Sequence, residues 1–94
     1  MVLIKVAADS RTAGVAGAIA GSIRQHGCVD VQAIGAGAVN QAAKALSLAR
    51  QYLIEEGIYM VVIPYFVEVK IGRQIRTAVR FSAHKYPTDL LPPD

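Results

Sequence analysis

Apolar positions along this chain switch between a strand-like and a helix-like period, and each switch marks an element. Val2–Val6 is a short aliphatic and β-branched run with one Lys, which predicts a strand. Ser10 or Thr12 then offers an N-cap oxygen for a helix running to about His26. Within it Val15, Ile19 and Ile23 recur four apart, and Ala16 and Ala20 widen the stripe into a core-facing side. Gly14, Gly17 and Gly21 share one side of this helix. Each costs about 1 kcal/mol of helix propensity relative to Ala, so together they predict the close approach of another backbone. Gly27 is the stop.

Val29–Ile34 reads as the second strand, and the Gly35-Ala36-Gly37 turn leads into a second helix over Ala38–Glu56. Its apolar stripe is Val39, Ala42, Ala43, Leu46, Ala49 and Leu53; its polar stripe is Asn40, Lys44, Ser47 and Gln51. Leu48 and Tyr52 fall outside the main stripe, and Gly57 ends the helix. Ile58–Ile71 and Gln74–Ala83, split by Gly72-Arg73, predict a β-hairpin. Pro64 removes a ladder donor and belongs at a bulge, an edge or a strand break. Residues 86–94, with three prolines, read as a loose tail.

The order β-α-β-α-β-β predicts an α/β domain over residues 1–85, an α+β sandwich. Two βα units favour parallel pairing with right-handed crossovers, and the final hairpin adds an antiparallel edge. The expected product is a four-stranded mixed sheet with both helices on one face. At 94 residues the length suits one domain, and the 53% hydrophobic content is generous for that size. It predicts a fold without disulfides or metal, and apolar surface left for a partner.

The lone Cys28 cannot form an internal bridge and is expected to be small core filler. MVLIKVAADSR lacks the basic-then-apolar layout of a signal peptide, and no apolar run reaches the roughly 20 residues of a membrane helix. The expectation is a cytoplasmic protein that does not enter a membrane.

Charge changes the picture through its placement. The net charge is only +3, yet Lys70, Arg73, Arg76, Arg80 and Lys85 supply five of the ten Lys and Arg residues in a stretch without an acid. A positively charged β-ribbon can enter DNA grooves or track phosphates; the plainer reading is an edge strand protected from aggregation by charge. With a three-residue loop Lys70 and Glu68 share the face of Arg76 and Arg80, and with a two-residue Gly72-Arg73 turn they do not. The sequence leaves this register open.

Catalytic chemistry has little to build on. Glu55 and Glu56 are adjacent at a helix end, where neighbours do not face each other, and read as solvated surface. His26 suits the helix C-terminus, His84 stands alone, and no His, Cys or acid spacing matches a metal site. Gly35 to Gly37 precedes a helix whose free amides could bind phosphate, with Asn40 close by. The segment GAGAVN is an incomplete GxGxxG with no Walker lysine, and it reads first as a tight βα turn. No catalytic residue, metal or cofactor is assigned.

VAGAIAGSIRQHG, QAIGAGAVNQAAKALSLAR and RTAVRFSAHK, in this order and spacing over about residues 2–85, resemble the stage V sporulation protein S family of bacteria. That resemblance implies a role in spore development or cell-division control. It also implies an Alba-like fold, that of small β-α-β-α-β-β dimers binding DNA or RNA. Alba-type binding uses basic residues after the first strand, near the second helix N-terminus and on the hairpin. Here the first region offers only Arg11 and the second no positive charge, so Lys70, Arg73, Arg76 and Arg80 carry most of the pattern.

The resulting expectation is a non-enzymatic, homo-oligomeric regulator that holds a DNA or RNA backbone. Lys70, Arg73, Arg76, Arg80 and Arg11 are its contacts, and Gly35, Gly37 and Asn40 a secondary phosphate-binding turn. The alternative is a structural adaptor whose helix or sheet-edge surface binds a protein partner.

Overall fold

The computed structural model describes residues 1–86, so the expected loose tail lies, apart from Tyr86, outside the described residues. The elements are β1 (Leu3–Val6), α1 (Thr12–His26), β2 (Cys28–Ala33), α2 (Ala36–Ile54), β3 (Tyr59–Ile71) and β4 (Gln74–Tyr86). They form a four-stranded mixed sheet in the order β1-β2-β4-β3. β1 and β2 are parallel, and β4 is antiparallel to both β2 and β3. The last strand is thus inserted in the middle and β3 is left at the edge. Pro64 lies on that edge strand, where a missing donor is tolerated, and the register runs through Pro64–Phe81 without a bulge.

Pairing fixes which residues share a face. Ile4 and Val6, Val29, Val31 and Ala33, Met60 and Val62, and Phe81 and Ala83 all point to the side that packs with the helices. Ile19, Ile23 and Leu53 are fully buried there, each contributing about 1.5–3 kcal/mol by leaving water. Between these anchors the helices meet the core through Ala16, Ala20, Ala38, Ala42, Ala45 and Ala49. Methyl-sized side chains let helix backbones approach each other and the sheet closely.

Several local expectations are corrected. α2 starts two residues earlier than its sequence reading and buries Ala45 in place of Ala43, which is exposed. Leu48 packs against the core, while Tyr52 faces solvent. The N-cap of α1 is Arg11 with no side-chain cap bond, because the Ser10 hydroxyl accepts from the Ala7 amide at 2.8 Å. Cys28 is half-buried on the face away from the helices, its thiol 3.8 Å from the His26 carbonyl. A Cβ on Gly14, Gly17 or Gly21 would meet nothing within 4 Å, so no backbone of the described chain approaches that side.

Glu56 lies at the surface but is not simply solvated. The Arg24 guanidinium grips it as a fork, Nε to Oε1 at 2.9 Å and Nη2 to Oε2 at 2.7 Å, joining the last turn of α1 to the residues after α2. The hydrogen bonds from Arg24 hold the Glu56 carboxyl below its ordinary range. Folding therefore favours the ionised form. The contribution is present above the unfolded pKa and is lost as pH falls through the depressed folded value. In an NMR titration Glu56 is expected to have a depressed midpoint that Arg24→Ala returns toward the ordinary value; an identical midpoint in both proteins would refute the coupling.

Candidate functional site

The hairpin register is settled by its turn. Ile71 pairs with Gln74, leaving Gly72-Arg73 as a two-residue loop. Gly72 has φ +60° and Arg73 is not left-handed, the combination of a type II′ turn, which places glycine first. Lys70 and Glu68 therefore share one face of the ribbon with Ile75 and Thr77, whereas Arg76 and Arg80 lie on the other with Val69 and Tyr65. The four hairpin cations named from sequence do not act from one side.

β2 pairs with β4 only from Val79 to His84, so the hairpin beyond Val79 leaves the sheet as a two-stranded arm. It lengthens the molecule to 49 Å against 23 Å in the other two directions. Arg73 sits at its tip and Arg76 on its side, both exposed, while Phe66 is 77% exposed on the opposite side. The arm departs beside Ala33, where β2 ends. The connection after β1 carrying Arg11 and the α2 start carrying Gly35 to Asn40 leave the sheet at the same end. The topology thus brings the three sequence-predicted regions to one end of the fold.

Arg80, at the base of the arm, is half-buried and held. Its Nε and Nη2 donate to Gln32 Oε1 at 3.2 and 2.5 Å. Gln32 is only 5% exposed, so this bond satisfies a buried acceptor and fixes the guanidinium. The pairings place Lys5, Gln32, Arg80 and Tyr65 in one row across all four strands on the helix-free face. The next row is Leu3, Asp30, Ser82 and Ile63. Ser82 Oγ and His84 Nε2 are hydrogen-bonded at 2.6 Å, and Asp30 Oδ1 is buried without a partner. Asp30 is the sole acid on this face among the described residues.

Sequence reading missed Lys5, Gln32 and Tyr65. Strand alternation assigns each a face, but only the sheet order aligns them with Arg80.

The glycine turn answers to packing. A Cβ at Gly37 would lie 3.0 Å from the Ala8 Cβ, and Gln41 Nε2 donates to the Ser10 carbonyl at 2.8 Å, binding this turn to the connection after β1. Gly35 is the N-cap of α2, and Asn40 is exposed. Among the described residues no group of three or more His, Cys, Asp or Glu is placed to hold a metal ion. No helix among them is long and apolar enough to cross a membrane.

A family model described as Stage V sporulation protein S (SpoVS) matches residues 2–86. The chain belongs to the stage V sporulation protein S family. It is thereby a small protein of a sporulation-related family. Among solved structures, Alba from Thermoplasma volcanium superposes with a TM-score of 0.58 at 11% identity, covering 89% of this chain and 99% of that one. This likeness shows that the sporulation-family chain has an Alba-like fold, as the sequence resemblance implied.

Gly37→Val tests the turn. Overpacking against Ala8 is expected to cost about 1–3 kcal/mol, more than the gain in helix propensity of under about 1 kcal/mol, and to lower the urea midpoint. Calorimetric titration of the wild type with common nucleotides is expected to show no micromolar binding. Micromolar binding heat that Gly37→Val abolishes would identify the turn as a nucleotide site.

Proposed function

We propose that this protein is a non-enzymatic nucleic-acid-binding regulator in sporulation or cell-division control, gripping a DNA or RNA backbone with Arg73, Arg76 and Arg80. The observation that carries this reading is the projecting arm: exposed cations at its tip and side, a fixed guanidinium at its base, and no acid among the described residues on that face of the arm. Phosphate contacts of this kind position a nucleic acid without reading its bases. Lys70 reaches only strands passing on the other side of the ribbon, beside Glu68. Arg11, Asn40 and the amides at Gly35 and Gly37 lie at the same end of the fold on its helix side, the side of Lys70, away from Arg76 and Arg80.

Self-association completes the reading. β3 is an unpaired edge of 13 residues, and beside it α2 and the sheet leave an apolar groove of about 350 Å³ lined by Leu46, Met60, Val62, Pro64 and Phe81. A second copy seated there would cover both. The same groove is what an adaptor would use to hold a protein partner.

Two measurements test these claims. Because bound phosphates release counterions, log affinity should fall with log salt at a slope of roughly 0.9 per duplex contact, and about two to four contacts per subunit predict weak, salt-sensitive binding. Changing Arg73 and Arg76 together to Ala is expected to lower affinity and reduce the slope by about one per lost contact, with the fold intact. Unchanged binding by the double mutant would remove the arm from the site; no binding by the wild type at low salt would leave the adaptor reading. Light scattering at high micromolar concentration is expected to give at least twice the 10.0 kDa chain mass, and a monomer would end the self-association claim.

A further inference from the structure

The helix-free face of the sheet carries more than charge. Tyr59, Val61, Ile63 and Tyr65 all point to it from β3, each more than a third exposed, and Leu3 joins them from β1. A sugar–phosphate backbone gains little from such surface. An unstacked base does, because every base has an apolar π-face that packs on an aromatic ring.

We infer that this face is a platform for single-stranded nucleic acid, with phosphates meeting Lys5 and Arg80 and a base stacking on Tyr65. The inference rests on the nucleic-acid reading above and specifies which strand form it concerns. Strands lie about 4.8 Å apart, so the row from Lys5 to Tyr65 spans about 14 Å with its cations and its aromatic ring in line. Charge matches the ligand: Lys5, Arg76 and Arg80 lie on this face against Asp30 alone, whose Oδ1 is buried. Gln32 clamps the Arg80 guanidinium, which costs less ordering on binding than a free side chain. Tyr65 lies beside Arg80 on the neighbouring strand and is 42% exposed, leaving side-chain surface for a base to cover. A duplex keeps its bases stacked on each other and cannot use this surface.

The test is fluorescence anisotropy with labelled oligothymidylate and an A·T duplex of equal length, at matched salt. The single strand is expected to bind more tightly than the duplex. Tyr65→Ala should weaken it by about 5- to 150-fold, the value of one stacked base, while Tyr65→Phe retains binding. Phe66→Ala, on the opposite side of the ribbon and 77% exposed, should bind as the wild type does. Circular dichroism confirms the fold of each variant. Equal binding of oligothymidylate by Tyr65→Ala and wild type overturns the platform, as does preference for the duplex. If the duplex binds with a salt slope that the Arg73 and Arg76 double mutant reduces while Tyr65→Ala is silent, the nucleic-acid reading stands and the platform alone falls. Should neither strand form bind, both fall. If oligothymidylate fails to bind and Tyr65→Ala turns an assembly into monomers, a second copy covers the face and the platform is wrong.

Discussion

A mismatch of strand lengths governs this structure. β2 has six residues and the hairpin strands have 13 each, so β2 can pair with only about half of β4. The paired half is placed in the middle of the sheet; the unpaired half has no strand neighbour but β3 among the described residues and projects. The arm exists because β2 stops at Ala33, and the Lys5–Tyr65 row exists because the last β2 residues bring β1 and β4 into line before it does. A β2 longer by three residues would draw Arg76 into the sheet.

The helix layer sets the other half of the geometry. A chain of this length has few large side chains to spend, and it concentrates them at Ile19, Ile23, Leu53, Val29 and Val31 while alanines fill the contacts between. Small side chains bring α1 and α2 close enough that the turns before them touch, which is why Gly37 meets Ala8 and Gln41 reaches the Ser10 carbonyl. The glycine-rich segment that looks like a phosphate loop in sequence is explained at Gly37 by this contact. Gly14, Gly17 and Gly21 follow a different logic, since they flatten the outer side of α1 and no neighbour in the described chain requires them.

The element order and the face carrying the helices were legible because periodicity reports burial directly: four-residue spacing of Val15, Ile19 and Ile23, and alternation in both hairpin strands, are local properties. Boundaries were less so. Arg11 serves as N-cap although Ser10 and Thr12 have better side chains for it, because the connection after β1 consumes the Ser10 hydroxyl. The two readings of Lys70 differed by one residue of loop length, and only the turn geometry at Gly72 decides between them. Lys5 and Tyr65 were invisible as site residues. They are 60 positions apart, and nothing local says that β4 enters between β2 and β3.

Arg80 shows how the two halves of the geometry meet in electrostatics. A cation half-buried at the base of a ribbon would normally favour a carboxylate partner, and Asp30 is on the same face one row away. The row instead gives Arg80 a neutral amide, Gln32, which holds the guanidinium without cancelling its charge. A carboxylate at position 32 would stabilise the same orientation and neutralise the positive field there. Choosing an amide keeps a net positive charge fixed at the junction of sheet and arm. The modest overall charge is thereby concentrated: Arg73, Arg76 and Arg80 descend from the tip to the base of one projection, and the acid on the arm, Glu68, is turned to its other side.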